Sequence, residues 1–509
     1  MAQAEQKQAG EQGEILQEKL EKALDEQPAN QPAAAEQDLA AQEPEQVQPA
    51  SVFKAGPVNP WVLTEQDKFS TFALDVDTAS YAIARNYLQR GYLPPPNSVR
   101  MEEFINSFDY NYPRQAEKTF NIYAQAAPSP FAPAPQNLVL LKVGVQGRVL
   151  GREGRKPANL VLVVDSSGSM AQADRMPLVQ YALEQMVRQL EPKDRVTLVS
   201  FGTDARVVLP TTTADQRDKV LAAIATLQCG GSTNLVEGLK LGYQLAQQTF
   251  AAGQTNRVIL CSDGMANIGA SEAQDLLDAV GRMQRQGVSF TSVGFGMGCY
   301  NDEVLQKLAD KGDGSYVFVD SQAQARRVFV DNLAATLQSI ARDAKIQVEF
   351  NPTMVRRFRL IGYEARVMAA ADFRNDAVKG GAVGSGQSST ALYELELSAD
   401  GYQRLGSAAL GTVYVRYRGV DDDTISEIAQ PIPGSALAER SIADDPRFFL
   451  AAAAGEFAEI LRHSEHVQGH SLAPVARTLD GVAAQLPLDT AVRELANLVK
   501  RADGLPAAP

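Results

Sequence analysis

A chain of 509 residues is too long for one hydrophobic core and implies roughly two or three domains. Its 45% apolar content is that of a globular protein, while 61 acidic against 48 basic residues leave a formal charge of −13, which argues against nucleic acid or anionic lipid as the main partner and suits divalent cations. Three cysteines do not make a disulfide framework: Cys261 sits in an apolar run and reads as core, and Cys229 and Cys299 sit in loop-like stretches as free thiols.

Residues 1–50 are mostly Ala, Gln, Glu and Pro, with few large apolar residues after Leu20. Such a segment cannot bury enough surface to offset its ordering entropy and reads as a disordered tether, within which EILQEKLEKALDEQ (14–27) has the spacing of a lone helix. MAQAEQKQ lacks the basic and apolar regions of a signal peptide, so the expectation is a cytoplasmic protein or one whose export signal has been removed. Residues 51–117 read as a mainly helical segment. FALDVD (72–77) is a short strand, and TASYAIARNYLQRG is a helix with Thr78 or Asp77 as N-cap and Gly91 as its stop. LPPPNS is a rigid turn, after which SVRMEEFINSF is a helix capped by Ser98, with Glu102 and Glu103 in its first turns. DVDTAS superficially resembles an ion loop, but no further ligands follow it, and it reads as a cap.

Residues 118–156 hold two extended segments, FNIYAQAAP and NLVLLKVGVQGR, and end in the solvated linker GREGRKP. From 157 to 340 continuous apolar strands (ANLVLVV, RVTLVSF, RVILCS, VSFTSVGFG, SYVFV) alternate with amphipathic helices, the pattern of a doubly wound, Rossmann-like, mostly parallel sheet covered on both faces. Residues 341–430 are strand-like again without interleaved helices: IQVEFNP, RRFRLIGYE, TALYELELS, GTVYVRYRG. A few strands cannot bury a face alone, so the pieces at 118–156 and 341–430 are expected to form one antiparallel β-sandwich into which the α/β domain is inserted. Residues 431–509 are helical, as in DPRFFLAAAAGEFAEILRHSE and LAPVARTLDGVAAQL. No uninterrupted apolar run is long enough to cross a membrane.

The chemistry concentrates at VLVVDSSGSM (161–170). A buried strand delivers Asp165 to the carboxyl edge of an open sheet, where such folds bind ligands, and Ser167 and Ser169 follow at alternate positions. One carboxylate with hydroxyl oxygens suits a small hard cation. CGGSTNLVEGLKLG places Thr233 in a glycine-bounded loop opening a helix, and VILCSDGMANIG ends a second buried strand in Asp263. Asp165, Ser167, Ser169, Thr233 and Asp263 would thus converge on one exposed edge.

In residue type, order and spacing this set resembles the metal-ion-dependent adhesion site of von Willebrand factor type A (VWA) domains. The resemblance implies that Asp165, Ser167 and Ser169 hold Mg²⁺ (Mn²⁺ or Ca²⁺ as alternatives), that Thr233 binds it directly in one state and Asp263 directly or through water, and that RVVLP (206–210) is a short antiparallel edge strand. DVDTASYAIARNYLQRGYLPPPNSVRMEEFINSFDYNYP, SDGMANIG, GFGMGCYND, FRND and SSTALYEL are similar to a bacterial VWA family that includes lipoproteins, which extends the likeness over about 70–500.

The expectation that follows is a non-enzymatic scaffold whose metal accepts an Asp or Glu of a protein partner. Hydrolysis would need a base or nucleophile, and no histidine precedes His463. One rival is a zinc hydrolase built on His463, His466 and His470, whose spacing would line one helix face did Gly469 not break it. Another is a cytoplasmic co-factor of an AAA+ ATPase. GGAVGSGQSST (380–390) has no Gly-Lys-Ser/Thr and reads as a flexible loop rather than a phosphate loop, and DDD (421–423) reads as a surface turn. The expected location is the cell envelope, reached through a lipid tether, with cytoplasm as the alternative.

Overall fold

The computed structural model describes residues 57–74, 77–115, 117–132, 138–151, 154–264, 270–296 and 302–507. The proposed tether with its helix at 14–27, and Cys299, lie outside them. Strands β1 (Val62–Leu63) and β2 (Phe69–Ala73) are followed by helices α1 (Ala79–Gln89) and α2 (Met101–Ile105), then by the hairpin β3 (Phe120–Pro128) and β4 (Leu138–Gly147). The α/β region runs β5 (Ala158–Asp165), α3 (Met176–Gln189), β6 (Arg195–Phe201), β7 (Ala205–Thr213), α4 (Arg217–Ala225), α5 (Leu235–Gln248), β8 (Thr255–Ser262), α6 (Ala270–Arg285), β9 (Val288–Phe295), α7 (Asp302–Lys311) and β10 (Tyr316–Val319). Next come β11 (Ser339–Phe350), β12 (Val355–Ile361), β13 (Gly381–Gly384), β14 (Ser388–Leu397), β15 (Ala409–Gly419) and β16 (Ile425–Pro433), and last α8 (Pro446–Leu461), α9 (Leu472–Gln485) and α10 (Thr490–Ala502).

The α/β sheet has the order β10-β9-β8-β5-β6-β7, parallel throughout except for the edge strand β7, which contains the expected RVVLP. Every residue of the central β5 is buried because both of its faces are covered. Leu160, Leu162 and Val164 pack in one core with Val179, Ala182, Leu183 and Met186 of α3, and Val161 and Val163 pack in another with Leu235, Leu239 and Tyr243 of α5.

Two antiparallel sheets form the sandwich: β1-β12-β14-β4-β3, and β13-β11-β15-β16 with β2 also paired to β11. They share a core that includes Phe120, Leu141, Val348, Phe358, Tyr393 and Val413. Ser388–Glu396 of β14 pair with Leu138–Gln146 of β4, so chain from before and after the α/β domain lies in one sheet. Residues 341–430 expressed alone would lack β2, β3 and β4 and are expected to be unfolded by circular dichroism; a cooperative melt of that fragment would contradict the arrangement.

The structure corrects several expectations. The first strand pairs over Phe69–Ala73, earlier than FALDVD. Thr78 is the N-cap of α1, while Asp77 serves a distant element: its Oδ1 accepts from the Tyr316 backbone N–H at 3.1 Å, at the start of β10. Ser98 does not cap α2. It closes a 3₁₀ turn onto Pro95, its Oγ donating to that carbonyl at 2.7 Å, and Arg100 occupies the cap position. Glu102 and Glu103 do lie in the first turn of α2, and the buried Glu103 also accepts from the Ser80 backbone N–H at 2.7 Å. The glycine-rich stretch is not a free loop: it contains β13, paired to β11. Its glycines permit close backbone approach, since a Cβ at Gly381 would lie 1.8 Å from the Leu74 carbonyl oxygen and one at Gly384 2.1 Å from that of Ala335. DDD is the β15–β16 turn, with Asp421 and Asp423 paired to Arg148, Lys156, Arg342 and Arg418.

Helix α8 packs between α2, α9 and the sandwich, with Ala451–Ala454 buried. Arg359 of β12, 1% exposed, bridges Glu394 of β14 at 2.7 Å and Glu459 of α8 at 2.8 Å. One turn away, Glu456 pairs with Nδ1 of His470 at 2.5 Å. Burial, and less so Glu459 and Glu394, push its carboxyl up to about 7, against the opposing pull of His470. A raised carboxyl favours the fold below its ordinary range and loses that contribution as pH climbs through the folded value. Glu456→Gln is therefore expected to flatten the fall in stability between about pH 4.5 and about pH 7, gaining about 2 kcal/mol at the upper end. Urea midpoints across that window test it; parallel curves for both proteins would refute it.

Candidate metal centre at the carboxyl edge of the α/β sheet

β5 and β8 are adjacent and parallel, so their carboxyl ends emerge side by side and present Asp165 and Asp263 at one edge. Asp165 is fully buried rather than exposed as the sequence suggested. Its Oδ1 accepts from the Ser167 backbone N–H at 2.9 Å, and its Oδ2 accepts from Ser262 Oγ at 2.8 Å. Burial raises its carboxyl above the ordinary range; the bonds from Ser167 and Ser262 oppose this, and the neighbouring Asp263 adds to it. Two carboxylates sharing a buried edge are the charge arrangement a cation relieves.

The hydroxyls fall beside them. Ser167 Oγ and Ser169 Oγ lie 3.0 Å apart, while Ser166 turns away and donates to the Phe201 carbonyl at 2.9 Å. The loop carrying Thr233 is docked against this turn by two backbone bonds, Gly230 N–H to the Ser166 carbonyl at 2.8 Å and Gly168 N–H to the Gly231 carbonyl at 3.0 Å. Gly231 has φ +78°, and a Cβ there would meet Thr203 Oγ1 at 2.3 Å, so the loop needs glycine to sit this close. Thr233 is half-buried, one residue before Asn234, whose side chain caps α5 by accepting from the Glu237 N–H. Asp165, Ser167, Ser169 and Asp263 are thus brought together, with Thr233 on the adjoining loop. Cys229 shares that loop, and burial, with Asp165 and Asp263, raises its thiol.

One neighbour was not anticipated. Arg175, 2% exposed, donates from one guanidinium nitrogen to Asp263 Oδ2 at 2.7 Å and to the Ser169 carbonyl at 2.7 Å. It ties the end of β8 to the turn after β5. The sequence signal was only an Arg beside the start of α3.

Residues 159–332 match the von Willebrand factor type A domain family, residues 335–505 match the C-terminal region of the uncharacterized protein YfbK, and residues 48–139 match a family described as von Willebrand factor. The chain is a VWA-domain protein with a YfbK-type C-terminal domain. It is 36% identical over 348 residues to the uncharacterized protein YfbK of Escherichia coli strain K12, an alignment covering 67% of this chain and 60% of that protein. A shorter stretch of 127 residues, 24% of this chain, is 37% identical to 22% of the magnesium-chelatase 60 kDa subunit of Cereibacter sphaeroides. Among solved structures it resembles the von Willebrand factor type A protein from Catenulispora acidiphila, with 16% identity, a TM-score of 0.43, and coverage of 76% of this chain and 91% of that one. The chain therefore spans less than two thirds of the length of the curated relatives it matches.

The donor set of the VWA domain fits a divalent cation that prefers oxygen: two carboxylates and three hydroxyls, with no sulfur or imidazole among them. Asp165, Ser167, Ser169, Thr233 and Asp263 would hold it. The three histidines do not form a second centre. His466 Nε2 lies 3.1 Å from the Asn59 carbonyl oxygen, His470 is paired to Glu456, and His463 is exposed at the end of α8 with φ 57°. Among the described residues no three His, Cys, Asp or Glu side chains cluster closely enough to share a metal. Cys261 is buried in the core as expected, its thiol pushed up to about 12.

Proposed function

We propose that this protein is a scaffold that binds a protein partner in a Mg²⁺-dependent way through the carboxyl edge of its VWA domain. The observation that carries the reading is the convergence of buried Asp165 and Asp263 with the Ser167 and Ser169 hydroxyls. When bound, Mg²⁺ would supply a hard positive centre for an incoming Asp or Glu side chain. Asp165 and Asp263 provide the charge that retains it, and the neutral hydroxyls leave enough positive charge to attract the partner's carboxylate. Arg175 anchors Asp263 and fixes the turn holding Ser169. Mn²⁺ or Ca²⁺ would suit the same oxygens. We place the protein at the cell envelope, which fractionation of cells expressing the full gene tests; a wholly cytosolic distribution would reject that placement.

A pull-down with the full chain in Mg²⁺ and in EDTA tests the interaction. The partner is expected to be retained only with Mg²⁺ and to be lost with Asp165→Asn. Equal capture under all three conditions would reject the reading.

A second reading, a co-factor of an AAA+ ATPase, draws on the stretch similar to a magnesium-chelatase subunit. It predicts that the Mg²⁺-dependent partner recovered is an ATPase.

A further inference from the structure

β4 is a central strand flanked by β3 and β14, yet its run LVLLKVGVQG carries one lysine. Lys142 is 2% exposed. Its Nζ lies among three rings, 5.4 Å from the centroid of Tyr110, 5.7 Å from that of Tyr112 and 5.7 Å from that of Phe448. Among the described residues no carboxylate pairs with it and no acceptor takes a hydrogen bond from it. The carboxylate that acts on it most, Asp445, is engaged elsewhere: Oδ1 caps α8 by accepting from the Phe448 N–H at 3.1 Å, and Oδ2 accepts from Gln125 Nε2 at 2.9 Å and Arg440 at 3.1 Å. A buried ammonium without a counter-charge is expensive, and ring faces offset only part of the penalty.

Lys142 opens onto a cavity of about 390 Å³, large enough for a small organic molecule. Its walls are amphipathic. Tyr112 and Tyr123 stack with centroids 5.4 Å apart and planes 7° from parallel, and Pro113, Ala124 and Pro446 add apolar surface. Arg447 lines the same space, so two cations, Lys142 and Arg447, face it with Asp444 and Asp445, of which Asp445 is already paired to Arg440. None of the lining residues belongs to the VWA domain.

We propose that this cavity is a binding site for a small organic carboxylate, whose anionic group meets the Lys142 ammonium and whose apolar body lies against the tyrosine rings. The ligand would complete the charge pairing that the fold leaves open. The lysine also responds to charge in the expected direction: burial lowers it to about 8, with Asp445 opposing and Arg440 and Arg447 reinforcing. An anion bound at Nζ restores the ammonium, so binding above that value must take up a proton.

Benzoate is a suitable probe, titrated calorimetrically into the full chain in EDTA so that no carboxylate can be held by a metal. Wild type is expected to bind with millimolar affinity. Lys142→Met, which keeps the apolar stem, should bind at least tenfold more weakly while melting no lower than wild type, since it removes an unpaired buried charge. Tyr123→Ala, at the half-buried rim, should weaken binding several-fold without touching the lysine. At about pH 9, titrations in two buffers of different ionisation enthalpy should show uptake approaching one proton per benzoate, against little at about pH 7. Failure of wild type to approach saturation by about 50 mM benzoate would overturn the proposal. So would Lys142→Met binding within twofold of wild type, or the absence of proton uptake at the higher pH. Should Lys142→Met not fold, Tyr123→Ala and the proton count decide.

Discussion

Asp165→Asn is expected to fold, to melt without metal at or slightly above the wild-type temperature, and to lose all stabilisation by Mg²⁺. Asparagine keeps the shape and one acceptor oxygen for the Ser167 N–H or Ser262 Oγ, both of which an alanine would leave unsatisfied in a fully buried position. It also removes a carboxylate whose raised titration marks a charge that the metal-free fold tolerates poorly, from burial first and Asp263 after it. A raised carboxyl favours the fold at acidic pH and loses that contribution as pH rises through its folded value, so the advantage of Asn over Asp should grow toward neutral pH. A cation present at about a hundred times its dissociation constant stabilises the folded state by about 2.7 kcal/mol, and this increment is expected in wild type alone. Melts with and without Mg²⁺ measure it. An equal metal-dependent shift in both proteins would place the cation elsewhere.

Arg175→Met is expected to destabilise the metal-free protein by about 3–5 kcal/mol, the range for removing one partner of a buried ion pair. Arg175 and Asp263 are 2% and 1% exposed, and their 2.7 Å contact joins the end of β8 to the Ser167–Ser169 turn. Without the guanidinium, Asp263 and Asp165 share the edge with one fewer positive charge beside them. Mg²⁺ should then bind more tightly than in wild type and restore much of the lost stability. The two effects are opposite in sign, which separates this account from simple loss of packing: a packing defect would lower stability equally with and without metal. Denaturant titrations at zero and millimolar Mg²⁺ distinguish the two.

What could be read in the sequence follows from where each signal lies. The buried strand β5 was legible because a strand covered on both faces is a nearly continuous apolar run, as Leu160–Val164 is. Asp165 and Asp263 stood out in the sequence because polar residues mark where such strands stop, Ser167 and Ser169 because they follow Asp165 at alternate positions, and Thr233 because glycines bound its loop. The insertion was legible by need, since the strands on either side of the α/β domain had no other partner; β4 against β14 is that partnership. Contacts set by distance along the chain were not legible. Arg175 meets Asp263, 88 residues away, and Asp77 meets Tyr316, 239 residues away, so local spacing gave Arg175 no role and read Asp77 as a possible cap. The strand β13 was hidden because glycine carries no strand pattern, although the approach of Leu74 and Ala335 is what demands glycine there. Lys142 looked like one polar residue in a strand until the rings of distant Tyr110, Tyr112 and Phe448 were seen to enclose it.

The carboxyl edge of the VWA domain is expected to hold one divalent cation through Asp165 and its neighbours. Titration of Mn²⁺ into the full chain, followed by the loss of the free-ion electron paramagnetic resonance signal, tests it most directly. Wild type should take up one ion per chain that Mg²⁺ displaces, and Asp165→Asn should take up none in the same range. Identical isotherms for the two proteins, or a wild type that binds no Mn²⁺ up to millimolar concentration, would contradict it.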